Sequence, residues 1–167
     1  MIEVVVDDLA FVEADAILRP ADDTLAPLTP AMKRLDLQAG ARFATLCQVQ
    51  SPLDAGAAVV TGGGDLSAPL VVHLVLQDAD GSGGREIIRR ALRSAWQQAA
   101  AWQLERIATP LIGVGPGRLT IEDAAELLGE SFPGRLSGTD APHTLRIVVD
   151  SDEERETVDA ALRKYRS

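Results

Sequence analysis

Three glycines at alternate positions, Gly113, Gly115 and Gly117, punctuate the stretch Pro110-Leu111-Ile112-Gly113-Val114-Gly115-Pro116-Gly117-Arg118-Leu119-Thr120. Glycine reaches positive φ and lets a ligand approach the main chain, so such a loop can turn several N–H groups towards one anion. Thr120 and Asp123 read as a cap for a helix just downstream, whose positive end favours the same anion. The chemistry that suits Gly113, Val114, Gly115, Pro116 and Gly117 is therefore backbone recognition of a phosphate, with Pro116 removing one donor. The other reading is a plain strand-to-helix connection. A dinucleotide-binding fingerprint fits less well, because that motif opens its unit at the first strand-to-helix turn, and this loop lies two-thirds along the chain.

Few other residues offer chemistry. Asp8 closes an apolar run and either accepts a hydrogen bond from a ligand amine or caps a turn. Asp22 and Asp23 precede a loop and read first as turn formers, with Asp22 the one candidate catalytic carboxylate. Arg19 follows an apolar strand and is either a cation near phosphates or a surface side chain. His73, embedded in Val71-Val72-His73-Leu74-Val75, reads as a satisfied strand histidine rather than a base. Two histidines and one cysteine, Cys47, make no metal constellation, and no serine or cysteine sits beside a recognisable base. No metal and no cofactor are expected.

Charge narrows the ligand. Sixteen Lys and Arg against 25 Asp and Glu give a formal charge of −9 over 167 residues, which repels nucleic acid and anionic membranes. A partner should be a small molecule held locally. The length suits one domain spanning 1–167, and a lone cysteine suits a reducing compartment. The N-terminus lacks the basic region of a signal peptide and no apolar run approaches the roughly 20 residues of a membrane span, so a soluble cytoplasmic protein is expected. The sequence leaves the oligomeric state open.

The elements that must position these residues alternate between β-branched runs and helical patterns, which predicts an α/β fold. Strands are expected over 2–6, 14–19 (stopped by Pro20), 57–61, 70–76, 106–109 and 144–149. Thr29-Pro30 should open a helix ending near Gly40, with a second short helix over 41–48. Ile88, Leu92, Ala95, Trp96, Ala99 and Trp102 define one buried stripe of a helix over 85–103. Further helices are expected from Thr120 to about Glu130 and from Ser151 to about Lys164, with a surface loop over 131–143.

In this order the segments resemble a macro domain, a family that binds ADP-ribose. Asp7-Asp8-Leu9 stands where the family reads Gly-Asp-Ile, and Asp15-Ala16-Ile17-Leu18-Arg19-Pro20-Ala21-Asp22 stands for Asp-Ala-Ile-Val-Asn-Ala-Ala-Asn. Val71-Val72-His73 and Ile107-Ala108-Thr109-Pro110 with its glycine loop follow in family order. The resemblance implies a three-layer α/β/α sandwich with a mixed, largely parallel sheet of about six strands. It also implies that Asp8 and Leu9 meet adenine, that residues 113–117 meet the phosphates, and that Arg19 and Asp22 replace the two asparagines. Departures are concentrated in one place. The family's Gly-Gly-Gly-Val run is Ala26-Pro27-Leu28-Thr29-Pro30-Ala31 here, which loses two N–H donors and the glycine freedom to wrap a diphosphate. The aromatic that stacks on adenine falls at Asp150. Three functions stay open: ADP-ribose binding, hydrolysis of an ADP-ribose ester, phosphate or protein adduct, and a decayed scaffold for protein association.

Overall fold

The computed structural model describes residues 1–78, 80–81, 83–136 and 142–166. Six strands form one sheet: β1 (Ile2–Val6), β2 (Ala16–Asp22), β3 (Ala58–Gly62), β4 (Leu70–Gln77), β5 (Arg106–Thr109) and β6 (Thr144–Val149). Their order is β1-β6-β5-β2-β4-β3, with every pair parallel except β3 and β4. Four helices complete the fold: α1 (Pro30–Leu46), α2 (Arg85–Ala101), α3 (Ile121–Ser131) and α4 (Asp152–Leu162). Among the described residues, no helix is long and apolar enough to cross a membrane.

Alternation along β2 and β4 divides the interior into two layers. Ala16 and Leu18, with Val72, Leu74 and Leu76, pack towards α2, α3 and α4. Ile17 and Val71 face the other way, against Met32, Leu35, Ala39 and Phe43 of α1 and the connection through Ala10 and Val12. The result is the expected helix–sheet–helix sandwich, with α1 alone among the helices on its face. Stripe periodicity was a sound guide to α2, where Ile88, Leu92, Ala95, Trp96 and Ala99 are all buried. Trp102 departs from it: the helix ends at Ala101, and the indole is 54% exposed beyond the last turn.

Two segments differ from the sequence reading. Strand β2 does not stop at Pro20 but continues to Asp22. It pairs with β5 only at Ala16 and Ile17, so from Leu18 onward one side of the strand is an edge, where a proline's missing N–H is tolerated. The two expected helices over 29–48 form one element with a break at Gly40, whose φ of 88° and ψ of −178° lie outside helical space. Thr29 caps it, its hydroxyl accepting from Met32 N, with Pro30 in the first turn.

The α1 layer encloses a polar network rather than an apolar seam. Arg19, fully buried on β2, donates through Nε and Nη2 to the Asp36 carboxylate at 2.9 and 2.7 Å, and through Nη1 to His73 Nδ1 at 3.1 Å. Because Nδ1 accepts, His73 carries its proton on Nε2 and donates it to Thr61 Oγ1 at 2.8 Å; that hydroxyl in turn donates to the Gly62 carbonyl. Phe43 covers the group, 5.6 Å from the Arg19 guanidinium and stacked 5.8 Å from the imidazole. No buried side-chain nitrogen or oxygen among the described residues is left without a partner. Arg19 is thus neither a surface residue nor a phosphate cation. It follows Ile17 by two on the strand and so shares its inward face.

Removing Asp36 would leave a buried guanidinium half-paired. Asp36→Ala should lower unfolding stability by about 2 kcal/mol or more in urea, and a loss under about 0.5 would mean that the pair holds nothing together. Burial, and then the Arg19 charge, push the His73 pKa from 6.5 down to about 3. Between those values the unfolded chain takes up a proton that the folded chain refuses. The contribution is therefore complete above about pH 6.5 and falls as pH drops towards 3, by up to about 1.4 kcal/mol per pH unit. His73→Gln should show a shallower decline than the parent protein between about pH 6.5 and pH 4; parallel declines would remove His73 as the titrating group.

Candidate ligand-binding cleft

The carboxyl ends of five strands open onto one cleft of about 420 Å³. Pro20 of β2, Leu76 of β4, Pro110 after β5, Val148 and Val149 of β6 and Asp7 and Asp8 after β1 all reach its surface. Ligands favour this position in open α/β sheets because strand ends and helix starts converge there. One wall is the glycine loop after β5, and the opposing wall is the start of α1.

The loop is held open by a few internal bonds. Gly113 O accepts from Leu119 N at 3.0 Å and Gly115 O from Arg118 N at 2.8 Å. Gly113 and Gly115 sit at φ 97° and 88°, and Arg118 at 58°. No described residue accepts a hydrogen bond from the amides of Gly113, Val114 or Gly117, all three of which line the cleft. Close approach explains two of the glycines. A Cβ on Gly117 would stand 2.5 Å from Gly113 O, and one on Gly113 would stand 2.6 Å from Leu119 Cδ1. Gly115 differs: a Cβ there meets nothing, so its requirement is φ alone.

Across the cleft, the first loop has fewer free donors. Pro27 and Pro30 carry no N–H, Ala26 N donates to Asp22 Oδ1 at 2.9 Å, and Met32 N is taken by Thr29, while the amides of Thr29 and Ala31 have no acceptor among the described residues. Its side chains, Leu28, Thr29 and Ala31, nevertheless leave the cleft unfilled. Beyond them α1 presents Arg34, Leu35 and Gln38.

The charged lining is segregated. Asp7 and Asp8 follow β1, Asp150 follows β6 and Glu154 lies on α4, so the carboxylates gather at the β1–β6 edge. Asp8 Oδ1 accepts from Ala10 N at 2.9 Å, which fixes the side chain, while Oδ2 has no hydrogen-bond partner among the described residues. Pro20, Leu28, Leu76, Leu111 and Val114 supply apolar lining. Among the described residues, no group of three or more His, Cys, Asp or Glu is placed to hold a metal ion.

Of the residues named from sequence, Asp8, Leu9, Gly113, Val114, Pro116 and Gly117 line the cleft. Gly115, Arg19 and Asp22 do not. Gly115 is the exposed outer corner of the loop, and Arg19 lies beneath α1. Asp22 is a turn former: its Oδ1 accepts from Thr24 N, Thr24 Oγ1 and Ala26 N at 2.8, 2.8 and 2.9 Å, which spends that oxygen on its own loop. It does not line the cleft, so the structure gives no support to the catalytic role expected of it. Arg34 and Gln38 went unnoticed in the sequence. The helix phase was the available signal, since Ala31, Arg34, Leu35 and Gln38 fall on one face of α1.

Residues 33–128 match the family model described as Macro domain. The chain is 30% identical over 158 residues to the macro domain-containing protein in gbd 3'region of Cupriavidus necator, covering 91% of each. The fold superposes on the Oceanobacillus iheyensis macrodomain with ADP at a TM-score of 0.82, with 19% identity, 98% of this chain and 90% of that one. It also matches the Trypanosoma brucei macrodomain in complex with ADP-ribose at a TM-score of 0.80, with 20% identity, 96% of this chain and 68% of that one. The sequence match across most of the chain, joined to the α/β/α sandwich that the order of motifs called for, makes this chain a member of the macro domain family.

Proposed function

We propose that this protein binds ADP-ribose, or a closely related adenosine diphosphate, in the cleft and does so without a catalytic side chain. The observation that carries the reading is the set of unclaimed amides at Gly113, Val114 and Gly117. On a molecule of net charge −9, backbone dipoles are the form of positive potential that a phosphate finds there without a long side chain having to be ordered. Asp8 Oδ2 and the apolar Leu9 beside it form the adenine end, where a carboxylate accepts from an exocyclic amine. The solved macrodomains with ADP and with ADP-ribose support the same ligand class. Hydrolysis has less support, because Asp22, the one carboxylate expected to act, lies outside the lining.

Titration calorimetry with ADP-ribose tests the reading directly. Saturable binding is expected, with no release of ADP-ribose from a modified protein; absence of heat at millimolar ligand would end the proposal. Gly117→Val should weaken binding by at least about tenfold, since the new side chain displaces Gly113 and its amide. Gly115→Ala should weaken it less, acting only through φ. Asp8→Ala should narrow the preference for adenine over hypoxanthine in otherwise identical ligands, and an unchanged preference would take Asp8 out of base recognition.

A further inference from the structure

We propose that Arg34 is an anion-pairing, specificity-determining residue of the cleft, supplying to a ligand phosphate the positive charge that the proline-bearing first loop does not. The inference rests on the adenosine diphosphate reading above. Three observations carry it. Arg34 is the one basic side chain among the residues lining the cleft, where the other ionisable groups are the carboxylates of Asp7, Asp8, Asp150 and Glu154. It makes no ion pair or side-chain hydrogen bond among the described residues, although eight other Arg and Lys side chains do pair with carboxylates. Its place on α1 is also informative: it stands one turn after Ala31, on the helix whose opening loop has lost donors at Pro27 and Pro30 and turned Ala26 N and Met32 N inward.

An unpaired guanidinium in a cleft whose other ionisable groups are four carboxylates lowers the repulsion that a phosphate meets on entry. It also has a flat fork of donors that suits phosphate oxygens. Because it comes from a side chain rather than a backbone cradle, this contact is salt-sensitive and tolerant of how the diphosphate is substituted. The cleft should therefore discriminate by phosphate charge.

The test compares the parent protein, Arg34→Ala, Arg34→Lys and Arg93→Ala, an exposed charge removal on α2 away from the cleft, with ADP-ribose and with adenosine. Arg34→Ala should weaken ADP-ribose binding by about tenfold and leave adenosine binding unchanged by NMR titration, with Arg34→Lys intermediate and Arg93→Ala like the parent. The fall in ADP-ribose affinity with added salt should be shallower for Arg34→Ala than for the parent. Equal affinity of Arg34→Ala and parent for ADP-ribose overturns the proposal, and so does an equal loss with adenosine, which would place Arg34 on the base or ribose. If the parent itself binds no ADP-ribose, the cleft reading fails first, and the Arg34 assignment falls with it.

Discussion

A guanidinium held between a helix and a sheet is the constraint on which the cleft depends. Arg19 ties Asp36 of α1 to His73 of β4, and His73 passes the connection to Thr61 of β3. Apolar packing alone would let α1 slide along the sheet by small rotations. Two charge-assisted bonds to one carboxylate, with a third bond to an imidazole nitrogen, accept a single placement. That placement decides where Thr29, Ala31, Arg34 and Gln38 stand, and they form one wall of the cleft. A site that uses few ligand-facing donors gains from having this wall fixed.

The opposite wall answers a different problem. An acidic protein needs local positive potential to take the ligand proposed above, and the unclaimed main-chain amides are what this cleft offers. Parallel strands ending side by side expose a row of backbone groups, and the loop after β5 gathers three of them where no acceptor of the described residues reaches. Pro116 takes one donor away, and in the first loop Pro27, Pro30, Ala26 and Met32 offer none. Under the proposed reading, side chains then carry a share of recognition that glycine-rich loops leave to the backbone. The acidic edge near Asp8 and the basic side chain on α1 give the cleft a charge gradient along its length, suited to a ligand with a base at one end and phosphates further on.

Asp22 shows how the same residue type serves different ends. A carboxylate at a loop entrance can touch a ribose or fold its own backbone, and the Asp22-Asp23-Thr24-Leu25-Ala26 turn takes the second course, with Leu25 at a positive φ of 62°. Once three local donors surround Oδ1, the loop is closed beneath Pro27. The proline substitutions and the Asp22 turn are therefore one change. Both stiffen that loop and reduce the number of its free backbone donors.

Strand and helix identities were legible in the residues because side-chain periodicity and capping chemistry act over a few positions: Thr29, Thr120 and Ser151 each cap the helix that follows them. The glycine loop was legible for the same reason, since Gly113 and Gly115 announce positive φ whatever surrounds them. Arg19 was not, because a cation after an apolar strand reads alike on a surface or in a core until a partner 17 residues away and another 54 away are brought to it. Nor was the extension of β2 through Pro20, which depends on how far β5 runs beside it, or the unclaimed state of the loop amides, which depends on every acceptor the fold brings near. The sequence by itself determined which segments pair, bend and cap, because those preferences are local. Only the tertiary structure decided which charges are neutralised in the interior and which remain available in the cleft, because pairing is a property of distance in space and not of spacing along the chain.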